Sequence, residues 1–128
     1  MPDDVTVSDG NYILVVDDEE SIRSFVEVAL MEEGYNVTSV SNGQRALDVI
    51  KDRPPQLILL DMRMPLMDGW EFASQYHAAS GPHAPIVALT AARDDSQRDS
   101  QIEAAAFLAK PFNLDDLFTL VERFVPSP

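Results

Sequence analysis

Four apolar stretches of this sequence end on residues that could do chemistry. YILVV (12–16) runs into Asp17, Asp18, Glu19 and Glu20, LILL (57–60) into Asp61, PIVAL (85–89) into Thr90, and AFLA (106–109) into Lys110 and Pro111. A carboxylate closing a core-type run is costly to bury unpaired. Three or more carboxylates in one crevice repel one another and hold their protons unless a cation intervenes. Hard oxygen ligands with open positions left over suit Mg²⁺. A hydroxyl and an ammonium added to that set make a site for a phosphoryl group. With no Ser–His or Cys–His arrangement available, the plausible nucleophile is Asp61, which would form an acyl phosphate.

The elements that must bring these ends together follow from periodicity. YILVV, NVTSV (36–40), LILLD (57–61), PIVALT (85–90) and AFLA read as strands, and LILLD is apolar on both faces, as a strand covered on each side must be. Helix-period segments alternate with them. Ile22, Phe25, Val26, Ala29 and Leu30 share one face of the first helix, which Gly34 is placed to end. Ala46, Leu47 and Ile50 share a face of the second, which stops at Pro54-Pro55. WEFASQYHAA (70–79) forms the third, and Asn113 caps a last helix whose core face is Leu114, Leu117, Phe118, Val121 and Phe124. Five strands and five helices in strict alternation specify an α/β fold, a doubly wound parallel sheet with helices on both faces. In a sheet of order 2-1-3-4-5 the ligand crevice opens between the first and third strands, where Asp17, Asp18 and Asp61 end.

Composition narrows the remaining classes. The chain has 128 residues, enough for one core, with 45% apolar and 24% charged residues. A net charge of -13 argues against direct nucleic-acid binding, which needs clustered Lys and Arg. No apolar run approaches the roughly 18 residues of a membrane span. MPDDVTVSDG is acidic and polar, unlike a secretory signal, and cysteine is absent, so the expected compartment is the cytoplasm. Residues 1–10 read as a flexible leader, 11–125 as the domain and 126–128 as a tail.

VVDDEES, LILLDMRMPLMDGWE, PIVALTA and FLAKPF, in this order, resemble the receiver domain of bacterial two-component response regulators over about residues 12–124. The resemblance implies a flavodoxin-like (βα)5 fold and a role for each matched position. Asp61 matches the aspartate that accepts a phosphoryl group from a histidine-kinase phosphohistidine or a small donor. Asp18 matches the direct Mg²⁺ ligand, Asp17 a neighbour acting through a metal-bound water, and the backbone carbonyl of Arg63 a third ligand. Thr90 matches the hydroxyl that bonds a phosphoryl oxygen, and Lys110 the cation that pairs with it. The Lys110–Pro111 bond is cis in the family, a mild cost before Pro. Phe107 occupies the place of the switch aromatic, which responds when the hydroxyl at Thr90 moves. The surface of the fourth helix, fifth strand and fifth helix would then change. The implied partners are a sensor histidine kinase or a histidine phosphotransfer protein, plus an unknown downstream partner, with the chain a monomer or weak dimer. The chain would catalyse its own phosphorylation and slow dephosphorylation rather than turn over a substrate.

Simpler readings stand beside these. Asp17 and Asp18 could serve a helix N-terminus, Thr90 a strand, Phe107 the core, and Met62, Met64 and Met67 turn packing. His77 and His83 read as surface residues of the third helix and its loop. A receiver-like module with phosphate-independent output is one alternative function. An aspartate-nucleophile phosphatase of the haloacid-dehalogenase kind is another, although it would carry an acid where Arg63 stands. The chain departs from the family between Thr90 and Lys110, where the spacing is shorter than usual. Glu103 stands where a Gly usually closes the fourth helix, and ARDDSQRDSQ (92–101) shows no clear apolar stripe, so that helix is expected to be short or irregular.

Overall fold

The computed structural model describes residues 11–91 and 103–126. Along the chain run β1 (Ile13–Val16), α1 (Glu20–Glu32), β2 (Val37–Val40), α2 (Gly43–Asp52), β3 (Leu57–Asp61), α3 (Gly69–Ala78), β4 (Ile86–Ala91), β5 (Ala106–Lys110) and α4 (Leu114–Phe124). The strands form one sheet in the order β2-β1-β3-β4-β5, and every neighbouring pair is parallel. This is the doubly wound α/β fold that the strand–helix alternation predicts. The stretch read as a fourth of five helices falls largely on residues 92–102, which lie outside the described residues, as do residues 1–10 and 127–128.

The sheet separates two apolar layers, and the period of the strands sorts side chains between them. Leu14, Val16, Ile58 and Leu60 pack with Ala46 of α2 and with Phe72, Ala73 and Tyr76 of α3. Ile13, Val15, Leu57 and Leu59 pack with Val26 and Leu30 of α1 and with Leu117 and Val121 of α4. All five residues of β3 are buried, so an unbroken apolar run serves both layers. Each fully buried Leu or Ile contributes about 1.5–3 kcal/mol.

Local chemistry fixes the helix ends. Asn42, Asp68 and Asn113 each accept a backbone N–H three residues on, capping α2, α3 and α4. After α1, Gly34 takes φ +96, while its N–H bonds Met31 O and that of Tyr35 bonds Leu30 O. This paired closure satisfies two carbonyls and uses the backbone freedom of glycine. Phe25 departs from the expected core face and is 47% exposed. It stands at the margin of the stripe centred on Ile22, Val26, Ala29 and Leu30, of which Val26 and Leu30 pack into the core layer.

Candidate phosphoryl and metal site

The sheet delivers the ends of β1, β3 and β5 to one edge. Carboxylate oxygens of Asp17, Asp18 and Asp61 all lie within 4.8 Å of one another. Asp17 is fully buried and Asp61 is 4% exposed, whereas Asp18 faces solvent. Asp17 is held from three directions: its Oδ1 accepts the Glu19 N–H at 2.9 Å, its Oδ2 meets Lys110 Nζ at 3.1 Å, and its backbone carbonyl accepts Arg23 Nη1 at 2.8 Å. Glu19 opens α1 without a side-chain cap of its own, and the Asp17 carboxylate, bonded to the Glu19 N–H, turns the chain into the helix two residues earlier.

Asp61 closes β3. Its Oδ1 accepts the Arg63 N–H at 3.3 Å and lies 3.3 Å from Lys110 Nζ. One ammonium therefore bridges two buried carboxylates, and Glu19 Oε1 stands 3.8 Å from the same nitrogen. The balance is anionic. Burial, then the charge of Asp17, and finally the contact with Asp18 raise the Asp61 pKa from 3.8 to about 7, against the opposing pull of Lys110 and the Arg63 N–H. For Lys110, burial alone would favour the neutral amine, but Asp17 and Asp61 together outweigh it and raise its pKa. A crevice in which Asp61 holds its proton so tightly, lined with hard carboxylate oxygens and open on the Asp18 side, fits a small divalent cation.

The backbone after Asp61 is closely packed. A Cβ on Gly69 would fall 2.7 Å from Met62 Cα and 2.9 Å from Asp61 O, so only glycine lets α3 start directly beneath the strand end. The Gly69 N–H bonds Met62 O at 3.0 Å. Met62 and Met64 are buried, consistent with turn packing, while Leu66 between them and α3 takes φ +70 and is 99% exposed. The Arg63 guanidinium lies 5.2 Å from the centre of the Trp70 ring.

Asp17, Asp18, Asp61 and Lys110 are thus brought together. Thr90 is buried at the end of β4, one residue beyond Leu89, the register partner of Asp61. Phe107 pairs with Ala88 and Ala109 with Thr90, so Phe107 and Thr90 share a face of the sheet one step apart. Phe107 is 46% exposed, which removes its reading as plain core. The Lys110–Pro111 peptide is cis. Sequence reasoning missed Arg23, whose guanidinium anchors the Asp17 carbonyl. The available signal was a cation one helical turn past Glu19, on the side of the helix that returns to the strand end. His77 and His83 stand apart from this edge, against the Tyr76 ring, His77 tilted to it and His83 edge-on.

Residues 13–122 match the family model of the response regulator receiver domain. Over 121 residues the chain is 38% identical to the response regulator MprA of Mycolicibacterium vanbaalenii, an alignment covering 90% of this chain and 52% of that protein. Over 116 residues it is 33% identical to sporulation initiation phosphotransferase F of Bacillus subtilis, covering 89% of this chain and 93% of that protein. The chain therefore spans about half the length of the first of these relatives and nearly all of the second. Among solved structures, it resembles the receiver domain of a sensor histidine kinase from Pseudomonas aeruginosa, determined with a magnesium ion coordinated in its active site cleft. That likeness has a TM-score of 0.81 at 32% identity and covers 88% of this chain and 95% of the other. No helix among the described residues is long and apolar enough to cross a membrane. With this sheet order and this acidic edge, the chain belongs to the response regulator receiver domain family.

Proposed function

We propose that the chain is a phosphorylation-activated signalling switch that takes a phosphoryl group onto Asp61. The observation that carries this reading is the convergence of Asp17, Asp18 and Asp61 around Lys110, with Asp61 alone closing a central strand at the crevice. Asp18, Asp61 and the Arg63 carbonyl would hold Mg²⁺ directly, with Asp17 acting through a bound water. When bound, the cation supplies positive charge that neutralises the carboxylates and the phosphoryl oxygens.

The chain's own residues account for the rest. An Asp61 carboxylate oxygen attacks the phosphorus of a phosphohistidine or small acyl phosphate. The P–O bond to Asp61 forms as the bond to the donor's nitrogen or oxygen breaks, and the donor leaves with its electron pair. Lys110 moves its pairing from Asp61 Oδ1 to a phosphoryl oxygen, retaining Asp17 as its second partner. Thr90 donates its hydroxyl to another phosphoryl oxygen, and Phe107 repacks on the shared sheet face, altering the surface formed by β5, α4 and the segment preceding β5. Domain limits of 11–125, a cytoplasmic location, monomer or weak-dimer behaviour, and exchange with a sensor histidine kinase or phosphotransfer protein belong to the same reading. Its product is a modified chain rather than a released metabolite.

Acetyl phosphate with Mg²⁺, followed by intact mass measurement, tests it. We expect a single phosphoryl adduct, stable in acid, labile in base and lost in Asp61→Asn. Absence of an adduct in the parent chain overturns the reading.

A further inference from the structure

We propose that the cleft between α2 and the C-terminal half of α3 binds a small planar organic anion, an aryl carboxylate or sulfonate. The cavity measures about 530 Å³, a size typical of small-molecule sites. Leu47 and Ile50 of α2, Pro54 beyond it, Tyr76 of α3 and Pro82 of the following loop form apolar walls. Leu47 and Ile50 pack against the core on one side and are only partly covered by it. The aromatic wall is fixed in advance. The Tyr76 hydroxyl accepts the Ala84 N–H at 2.6 Å, the His83 ring meets Tyr76 edge-on at 4.8 Å, and Phe72 stacks on it at 5.8 Å. A preformed wall costs little ordering when a ligand arrives; with Tyr76 buried, the exposed His83 ring is the flat surface that favours an aromatic ligand over an aliphatic chain.

The charge of the cleft sets the second requirement. In a chain of net charge -13, none of the twelve lining residues is acidic. Lys51 supplies an ammonium at the lip and forms no ion pair among the described residues. Of the acids on the same two helices, Asp48 accepts from Gln44 at 3.4 Å and Glu71 from Gln75 at 3.2 Å, while Asp52 follows Lys51 at the end of α2. His83 Nε2 lies 2.8 Å from Ala79 O, closing that carbonyl at the end of α3 against an incoming anion. A ring would enter the apolar slot while its acid group pairs with Lys51. The cleft runs along α2 from Gln44 to Lys51, its α3 side lies at the far end of that helix from the cap Asp68, and Asp61 is not among its lining residues. The inference therefore stands or falls independently of phosphorylation.

Two fluorescent probes test it on the folded chain: 1-anilinonaphthalene-8-sulfonate and its uncharged relative N-phenyl-1-naphthylamine, followed by emission and by amide shifts. We expect one saturable site for each, with shifts confined to residues 44–54 and 75–83. Lys51→Glu, an exposed change, should weaken the sulfonate at least about fivefold, the scale of one partly exposed charge pair, and leave the uncharged probe unaffected. Ala79→Trp should fill the cleft and remove both. Non-saturating binding, shifts centred on Phe25, Val28 and Met31 of α1, or equal sulfonate affinity in Lys51→Glu each overturn the proposal.

Discussion

The two ends of β1 solve the same problem differently. Just before the strand, buried Tyr12 donates its hydroxyl to the Arg53 carbonyl, and the Arg53 guanidinium lies 4.3 Å over its ring and reaches Thr38 at 3.3 Å. Every polar group in that contact has a partner, and the only full charge is solvated on one side. Just after the strand, Asp17 joins Asp18 and Asp61 around a single lysine. The first end is arranged for stability alone. At the second, the fold accepts an excess of negative charge that a protein optimised only for stability would discard.

Substitutions at each end should break this contrast in opposite directions. Tyr12→Ala removes a buried ring and its hydrogen bond and should cost about 3–5 kcal/mol in urea unfolding. Asp61→Asn, tested with a chelator present, should instead stabilise the chain by up to about 4 kcal/mol at pH 8, because it removes a charge whose burial is poorly balanced.

The pH profile sharpens the same point. Folded Asp61 keeps its proton to about pH 7, whereas the unfolded residue releases it near 3.8. The folded state thus binds more protons between those values, so its stability is highest below pH 4 as far as this group is concerned. That contribution declines as pH rises and is gone above pH 7. Thermal unfolding in chelator should show this decline in the parent chain and a flatter profile in Asp61→Asn. A parent profile that rises through the window would contradict the charge imbalance.

Smaller effects probe elements that flank the two ends. Asp68→Ala removes the α3 cap beside the site and should cost about 1 kcal/mol. Glu103 lies before β5, at the far edge, with φ +56. A left-handed residue with a Cβ is strained, and the flexibility of an unfolded glycine offsets only part of the relief, so Glu103→Gly should stabilise by about 0.5–1 kcal/mol. Neither change touches the residues proposed to handle phosphate, so adduct formation should persist in both.

Much of this arrangement is legible in the sequence because strand ends and helix caps are written locally. LILLD announces a strand buried on both faces, and Asn113 announces a helix start, without knowledge of any neighbour. The convergence of Asp17 with Asp61 follows from the rule that parallel sheets open at a switch point. Phe25 was misplaced because a periodic stripe gives a direction and not the width of the surface beneath it. Arg23 escaped notice because it grips a backbone carbonyl, a partner carrying no side-chain signal. The exposure of Phe107 depends on β5 being the sheet's outer strand, which strand composition does not record.

The pairing of Lys110 with Asp17 joins residues 93 positions apart, the first strand to the last. Closing so long a loop is among the entropically costlier steps available to this chain, and parallel pairing offers no hairpin shortcut. The acidic edge with its lysine is therefore complete only when the whole sheet has assembled, since its acids arrive with the first and third strands and its ammonium only with the fifth. Competence for the proposed phosphoryl chemistry would thereby certify that folding is complete.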